Sequence, residues 1–480
     1  MATINPLSWI GAASLAVALA GCATPVAKPA LDVPPRFAAA GAPEEEPEVA
    51  WWESYGDPVL ADLIRRAARE NRDVKIAAER VRAARAGETV SHSFLWPSIG
   101  VSAGAGDYRT GYSDDIKRVV PPAADLKNLT ASANVAWEVD ISGRLRAGAA
   151  AAAAEALAAE HGQRGVRLLV MTDVATNYFT LVGALRQLET VRAIAAAQDE
   201  TLRLIVARQR VGLATPFDVE RAQADASRTR AQIPPLETLA AVSRHHIAVL
   251  IGDQAFNAAL IVPSASPIKV PTARPGQPAE LLQRRPDLLA AKAQLEAANA
   301  RRQQAAAEWF PRLFVGAAFG RERFEVNGTD IGPARFSNVA GLIAMPIFNA
   351  GRTRAINDIA AAGQSEAVLR YENAIVRALE DVENTLTALA QERQRTQDLE
   401  TASASAEAAL GRAQSLYSRG QTDLLPLLDA QRARLAARVA ANDGNTQLLI
   451  DSVQLYKALG GGWQVFEPTH NSSIDNGNPS

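Results

Sequence analysis

The sequence predicts a mainly α-helical chain with a transmembrane β-barrel: a bundle of long coiled-coil helices, plus four strands per chain that must join other strands to close. Three observations carry this reading. The chain repeats itself at an offset of about 208 residues, two proline-free stretches have coiled-coil spacing, and several short segments alternate strictly between apolar and polar residues.

The repeat comes first because it sets the order of everything else. Arg210-Val211-Gly212-Leu213-Ala214-Thr215 aligns with Ser418-Arg419-Gly420-Gln421-Thr422 at that offset, as do Ala222-Gln223 with Ala430-Gln431, Asp173-Val174 with Asp381-Val382, and Gly143-Arg144 with Gly351-Arg352. Trp96-Pro97 matches Phe310-Pro311 at 214, so the first copy carries six more residues before Gly143, as insertions at loop tips do. The expected organisation is a signal segment over 1–21, a Pro-, Ala- and Glu-rich tether over 22–50, a first copy over 51–252, a Pro-rich linker over 253–278, a second copy over 279–462 and a polar tail over 463–480. Each copy reads as helix, two strands, a very long helix, a glycine turn and a helix.

In the strands, 129–141 is apolar at every odd position, including Leu129, Val135, Trp137 and Ile141, with Thr130, Ser132, Asn134 and Glu138 between them. That is period two over a length near the 9 to 11 residues of a membrane strand. Segment 98–106 alternates likewise, and Leu313, Val315, Ala317 and Phe319 do so in the second copy, whereas 336–348 is apolar on both faces and holds Pro346. Four strands cannot close a barrel and an open edge cannot face lipid, so copies must be shared: two chains give eight strands, three give twelve.

The long helices follow. No proline falls between Arg144 and Arg210, and Met171, Val174, Tyr178, Leu181, Leu185 and Leu188 step 3,4,3,4,3; Leu379, Val382, Leu386 and Leu389 repeat the seam in the second copy. At 1.5 Å per residue each helix is about 100 Å long. Gly212 and Gly420 stand where each helix must reverse, a position that tolerates positive φ. Pro234-Pro235 predicts a kink or restart after the first reversal.

Composition narrows the function. Lys+Arg total 50 against Asp+Glu 52, a net charge of −2, which implies no nucleic-acid surface. Apolar residues make up 48% but aromatics only 5%, so alanine dominates and helices can approach closely. His245-His246 point about 100° apart on a helix without a third partner, so no metal site is expected, and neither a nucleophile elbow nor a phosphate loop is present; the chain reads as a non-enzyme without cofactors. The lone cysteine, Cys22, follows the apolar run Trp9 to Ala20 and Gly21, a run too short to span a membrane.

Several motifs together resemble the TolC-like outer-membrane efflux factors, and within them the NodT-type lipoprotein branch. They are Trp51-Trp52 with Asp57-Pro58-Val59-Leu60, Trp96-Pro97, Ile141-Ser142-Gly143-Arg144, Arg210-Val211-Gly212-Leu213, Leu281 to Leu288, and Tyr456 to Trp463. Leu19-Ala20-Gly21-Cys22 resembles a bacterial lipoprotein cleavage box, which implies acylation of Cys22 and, with Ala23 after it, delivery to the outer membrane. The resemblance implies a homotrimer with a twelve-stranded barrel, a helical tunnel across the periplasm, docking of a periplasmic adaptor protein at Val211, Gly212, Leu213 and Gly420, and an inner-membrane pump of the RND type. It also implies a periplasmic gate at Asp218, Tyr417 and Asp429. Thr422 and Pro426 depart from the family's gate pattern, which has an arginine and an aspartate there. The expected function is passive export of small molecules. The alternatives are a type I secretion or polymer export channel and, from another class, a periplasmic coiled-coil scaffold that never inserts.

Overall fold

The structure, a computed structural model, describes residues 26–38, 48–109, 125–253, 263, 268–272 and 274–467. Cys22, the signal segment and the tail beyond 467 lie outside the described residues. In chain order the main elements are α1 (Pro58–Glu70), α2 (Arg72–Ser93), β1 (Ser98–Tyr108), β2 (Leu126–Val139), α3 (Arg144–Arg210), α4 (Pro216–Arg230) and α5 (Ile233–Leu250). The second copy supplies a short turn of helix at Leu281–Arg284, then α6 (Pro286–Ala306), β3 (Arg312–Val326), β4 (Thr329–Ala344), α7 (Arg352–Ser418) and α8 (Leu424–Ala458). Both α3 and α7 run 67 residues. Pro234-Pro235 produces a restart: α4 ends at Arg230 and α5 begins at Ile233, whereas α8 has no proline past its first turn and continues unbroken.

Two compact units emerge. One comprises 81–159 and 291–371 with the residues up to 30, and the other 31–80, 160–290 and 372–480. The first holds a four-stranded antiparallel sheet in the order β1-β2-β3-β4, so β1 and β4 are its edges. Pairing places the odd residues of β1, β2 and β3 on one face: Ile99 opposes Val135, Val135 opposes Ala317, and Ala317 opposes Val339. This face is apolar and, in the single chain, exposed; Val101 retains 88% of its surface. The other face carries a polar ladder in which the Asn134 amide donates to Ser102 (2.9 Å), Ser102 and Ser132 share a bond of 3.0 Å, and Thr130 donates to Glu322 (3.1 Å). A sheet apolar on one face and hydrogen-bonded on the other is what a barrel wall between lipid and a wet lumen requires.

The β3–β4 register follows from its turn. Asn327 and Gly328 both have positive φ (50° and 79°), the conformation of a two-residue hairpin whose twist matches its strands. β4 is longer than the alternation suggests, because its pairing runs from Thr329 to Ala344 and stops before Pro346, which cannot donate to a ladder. β2 conversely ends at Val139. Asp140 has left the strand, and its carboxylate accepts from the Leu145 and Arg146 amides at 3.1 and 2.9 Å, capping the start of α3. Arg144 forks onto Glu138 at 2.8 Å to both oxygens and fixes the same junction.

The second unit is built on aromatics. Trp51, Trp52 and Tyr55 are fully buried against Tyr178 and Phe179 of α3 and Tyr456 of α8, with Trp51 stacked on Tyr456 at 5.3 Å. The Tyr55 hydroxyl and Ser452 Oγ lie 2.6 Å apart, and burial pushes the Tyr55 phenol well above its ordinary value. Along α3 the expected seam is buried at Met171, Val174, Tyr178, Leu181 and Leu188, with Leu185 half-buried. In α7 the stripe passes through Ile375, Ala378, Val382, Leu386 and Leu389. Leu379, one residue from Ala378, is only half-buried, because the close approach is made by the smaller side chain.

Candidate functional site

Two helix reversals lie in the second unit. At the first, the Leu213 amide donates to the Arg208 carbonyl (2.9 Å) and the Gly212 amide to Gln209 (3.0 Å). At the second, Gln421 donates to Leu416 (2.9 Å) and Gly420 to Tyr417 (3.0 Å). Both are Schellman turns with the left-handed residue at glycine, φ +77° in Gly212 and +71° in Gly420. A Cβ would meet nothing within 4 Å at either, so backbone conformation rather than crowding demands glycine.

The flanks differ. Val211 and Leu213 are 69% and 73% exposed, an apolar pair presented to solvent. At the second turn Arg419 and Gln421 take the equivalent places and are also exposed. Past the first turn Thr215 caps α4 in a full capping box: its hydroxyl accepts from the Asp218 amide (3.2 Å) and its own amide donates to the Asp218 carboxylate (2.9 Å). The Thr215 amide first, and second its hydroxyl, which donates to the same carboxylate at 2.7 Å, hold the Asp218 carboxyl below its ordinary range. α8 starts at Asp423 without such a bond.

The expected gate residues are not one cluster. Asp218 is occupied by its own cap. Tyr417 lies under the Arg208 guanidinium, 4.9 Å from ring centroid to Cζ, which ties the end of α7 to the end of α3. Asp429 accepts from Arg432 at 3.1 Å. Thr422 sits half-buried in the second turn, and Pro426 occupies the third position of α8, where no helical amide bond is lost.

Arg432 is the residue the sequence reading missed. Its guanidinium also grips Asp225 of α4, with Nε 3.0 Å from both carboxylate oxygens and Nη2 2.7 Å from one. Asp225 is only 5% exposed, and hydrogen bonding to it raises the Arg432 pKa. This charge pair joins α4 to α8, with Gln431 donating to Thr201 of α3 beside it (3.1 Å). A signal was present: Ala222, Asp225, Ala226 and Thr229 form the buried stripe of α4, and a carboxylate inside an alanine stripe needs a cation.

A sheet with one lipid-compatible face, two 67-residue helices and paired helix reversals are the features of a channel-forming subunit. The comparisons narrow this. The chain matches the family model described as "Outer membrane efflux protein" over residues 63–253 and 278–461. It belongs to that family. It is 32% identical over 437 residues to the pyoverdine export outer membrane protein OpmQ of Pseudomonas aeruginosa, covering 89% of this chain and 90% of that one. It is 27% identical to the probable outer membrane lipoprotein SilC of Salmonella typhimurium over 93% of this chain and 96% of that one. Among solved structures the outer-membrane channel OprN superposes with a TM-score of 0.83 at 28% identity, covering 93% of this chain and all of OprN. The protein is therefore an outer-membrane efflux channel subunit.

Proposed function

We propose that three copies of this chain close a twelve-stranded barrel and that the assembled channel exports small molecules received from an RND-type inner-membrane pump through a periplasmic adaptor. The observation that carries the assembly is the open sheet: β1 and β4 each leave a row of unpaired backbone groups that lipid cannot satisfy, so the edges must pair with other copies. The channel performs no reaction itself. Mass measurement of the detergent-solubilised particle tests this, with three chains expected; a monomer, or a particle that forms no conducting pore in a planar bilayer, would leave the periplasmic scaffold as the better reading.

The adaptor docks on the helix reversals, Val211, Gly212, Leu213 and Gly420, and the exposed Val211 and Leu213 supply the apolar anchor. Leu213→Asp is expected to weaken adaptor capture by about tenfold or more while leaving the trimer intact; undiminished capture would move the docking site elsewhere. Asp218, Tyr417 and Asp429 belong to the gate region through the caps and contacts described above, and Arg432 supplies a cation in place of the arginine that Thr422 replaces.

Cys22 is the acylation site that anchors the mature chain, with 23–50 as its tether, 51–252 and 279–462 as two copies of one unit joined by 253–278, and 463–480 as a polar tail. The name of SilC supports the lipoprotein reading. Cys22→Ser is expected to abolish incorporation of labelled fatty acid into the protein. Persistent labelling of that variant would exclude this anchor.

A further inference from the structure

On the apolar face of the sheet the charges sit at one end. Arg321 of β3 pairs in register with Arg335 of β4, and the odd parity of β3 puts both on the side that carries Leu313, Val315, Ala317 and Phe319. Like charges directly opposite one another across a ladder are destabilising. The neighbouring cations are compensated: Arg323 by Asp330, Lys127 by Glu325 at 3.1 Å, and Arg109 by Asp107 at 3.2 Å. Arg321 and Arg335 are exposed and have no carboxylate partner among the described residues.

Their depth gives the pair a meaning. Leu313 to Arg321 spans eight residues, which at ~3.3 Å each and a tilt of ~40° is about 20 Å along the membrane normal, close to the ~25 Å apolar band of such barrels. The arginines lie toward the β3–β4 hairpin, away from the strand ends that lead into the helices. In an outer-membrane channel whose helices extend into the periplasm, that end faces the outer leaflet. Two guanidiniums with Cα atoms about 5 Å apart thus stand at the headgroup level of lipid-facing strands.

We propose that Arg321 and Arg335 form a binding site for the phosphate of a phosphorylated glycolipid in the outer leaflet. Guanidinium forks match phosphate oxygens in geometry and charge, and an anion between them removes the repulsion that the register imposes. The outward neighbours are already internally neutralised, so the phosphate is drawn to this rung of the sheet rather than to the loops.

The proposal rests on the closed, inserted barrel, which the particle mass and pore conductance test separately. The full-length channel in nanodiscs is titrated with a diphosphoryl disaccharide glycolipid and with the same lipid stripped of phosphate. The native protein is expected to bind the phosphorylated form about tenfold more tightly, and Arg321→Gln with Arg335→Gln to erase that preference. Arg323→Gln is expected to retain it, because Arg323 is engaged with Asp330. Equal binding of the two lipids by the native protein overturns the proposal even where a variant fails to assemble, as does a preference that survives the double substitution. Displacement of the lipid by millimolar inorganic phosphate would assign the site to the free anion and overturn the lipid assignment too.

Discussion

Replacing Arg432 with alanine is expected to raise the resting conductance of the reconstituted channel and to sensitise cells to large antibiotics that the intact outer membrane excludes. The substitution leaves the Asp225 carboxylate, 5% exposed, with only the Arg228 guanidinium 3.7 Å away as an ion-pair partner. Removing one member of a buried pair costs ~3 to 5 kcal/mol, and the lower end applies because the Arg432 side chain is itself 38% exposed. α4 and α8 are joined by this bidentate contact, so that loss falls on the separation of these two helices rather than on the fold at large. Arg432→Lys restores a charge but not the fork and is expected to fall between the two. A conductance identical to the native channel in Arg432→Ala would show that the pair staples α4 to α8 without restraining the pore.

The second large effect is on stability and comes from Asp57. Its carboxylate, 3% exposed, accepts from the Val59 and Leu60 amides at 2.9 and 3.2 Å and from the Tyr178 hydroxyl at 2.6 Å. One side chain thus starts α1 and satisfies a buried phenol on α3. Asp57→Ala removes a helix cap worth ~1 kcal/mol and the Tyr178 hydroxyl's bond to a carboxylate, worth ~1.5 to 3 kcal/mol, about 2.5 to 4 kcal/mol together. The unfolding midpoint should drop accordingly. The losses from Asp57→Ala and Tyr178→Phe should be less than additive, because both remove the same 2.6 Å bond. Strictly additive losses in that pair would mean that the phenol and the carboxylate act independently.

Much of this architecture was legible in the sequence because periodicity is a local property. The 3,4 spacing from Met171 to Leu188 and the alternation from Leu129 to Val139 are each set by which residues meet core or lipid, and both appear in the structure with small shifts at their ends. β4 was harder, since a strand apolar on both faces has no period to read; its bounds come from the Asn327-Gly328 turn and from Pro346. The helix reversals were visible through their glycines. The Arg432–Asp225 pair was not, because it joins residues 207 positions apart and depends on which faces of α4 and α8 meet. The Arg321–Arg335 rung was hidden for a related reason: a one-residue change of register would put the two guanidiniums on opposite faces of the sheet.

The two helix reversals share one backbone geometry but not one surface. Three chains would present six turns of the same shape, three of the oily Val211/Leu213 type and three of the polar Arg419/Gln421 type. Their shape would be sixfold and their chemistry only threefold. A partner ring of six identical subunits could seat every subunit on a matching turn, yet its members would fall into two classes, those gripping an apolar knuckle and those gripping a hydrophilic one. Substitutions in one class of turn would then weaken half of the seats and leave the others intact.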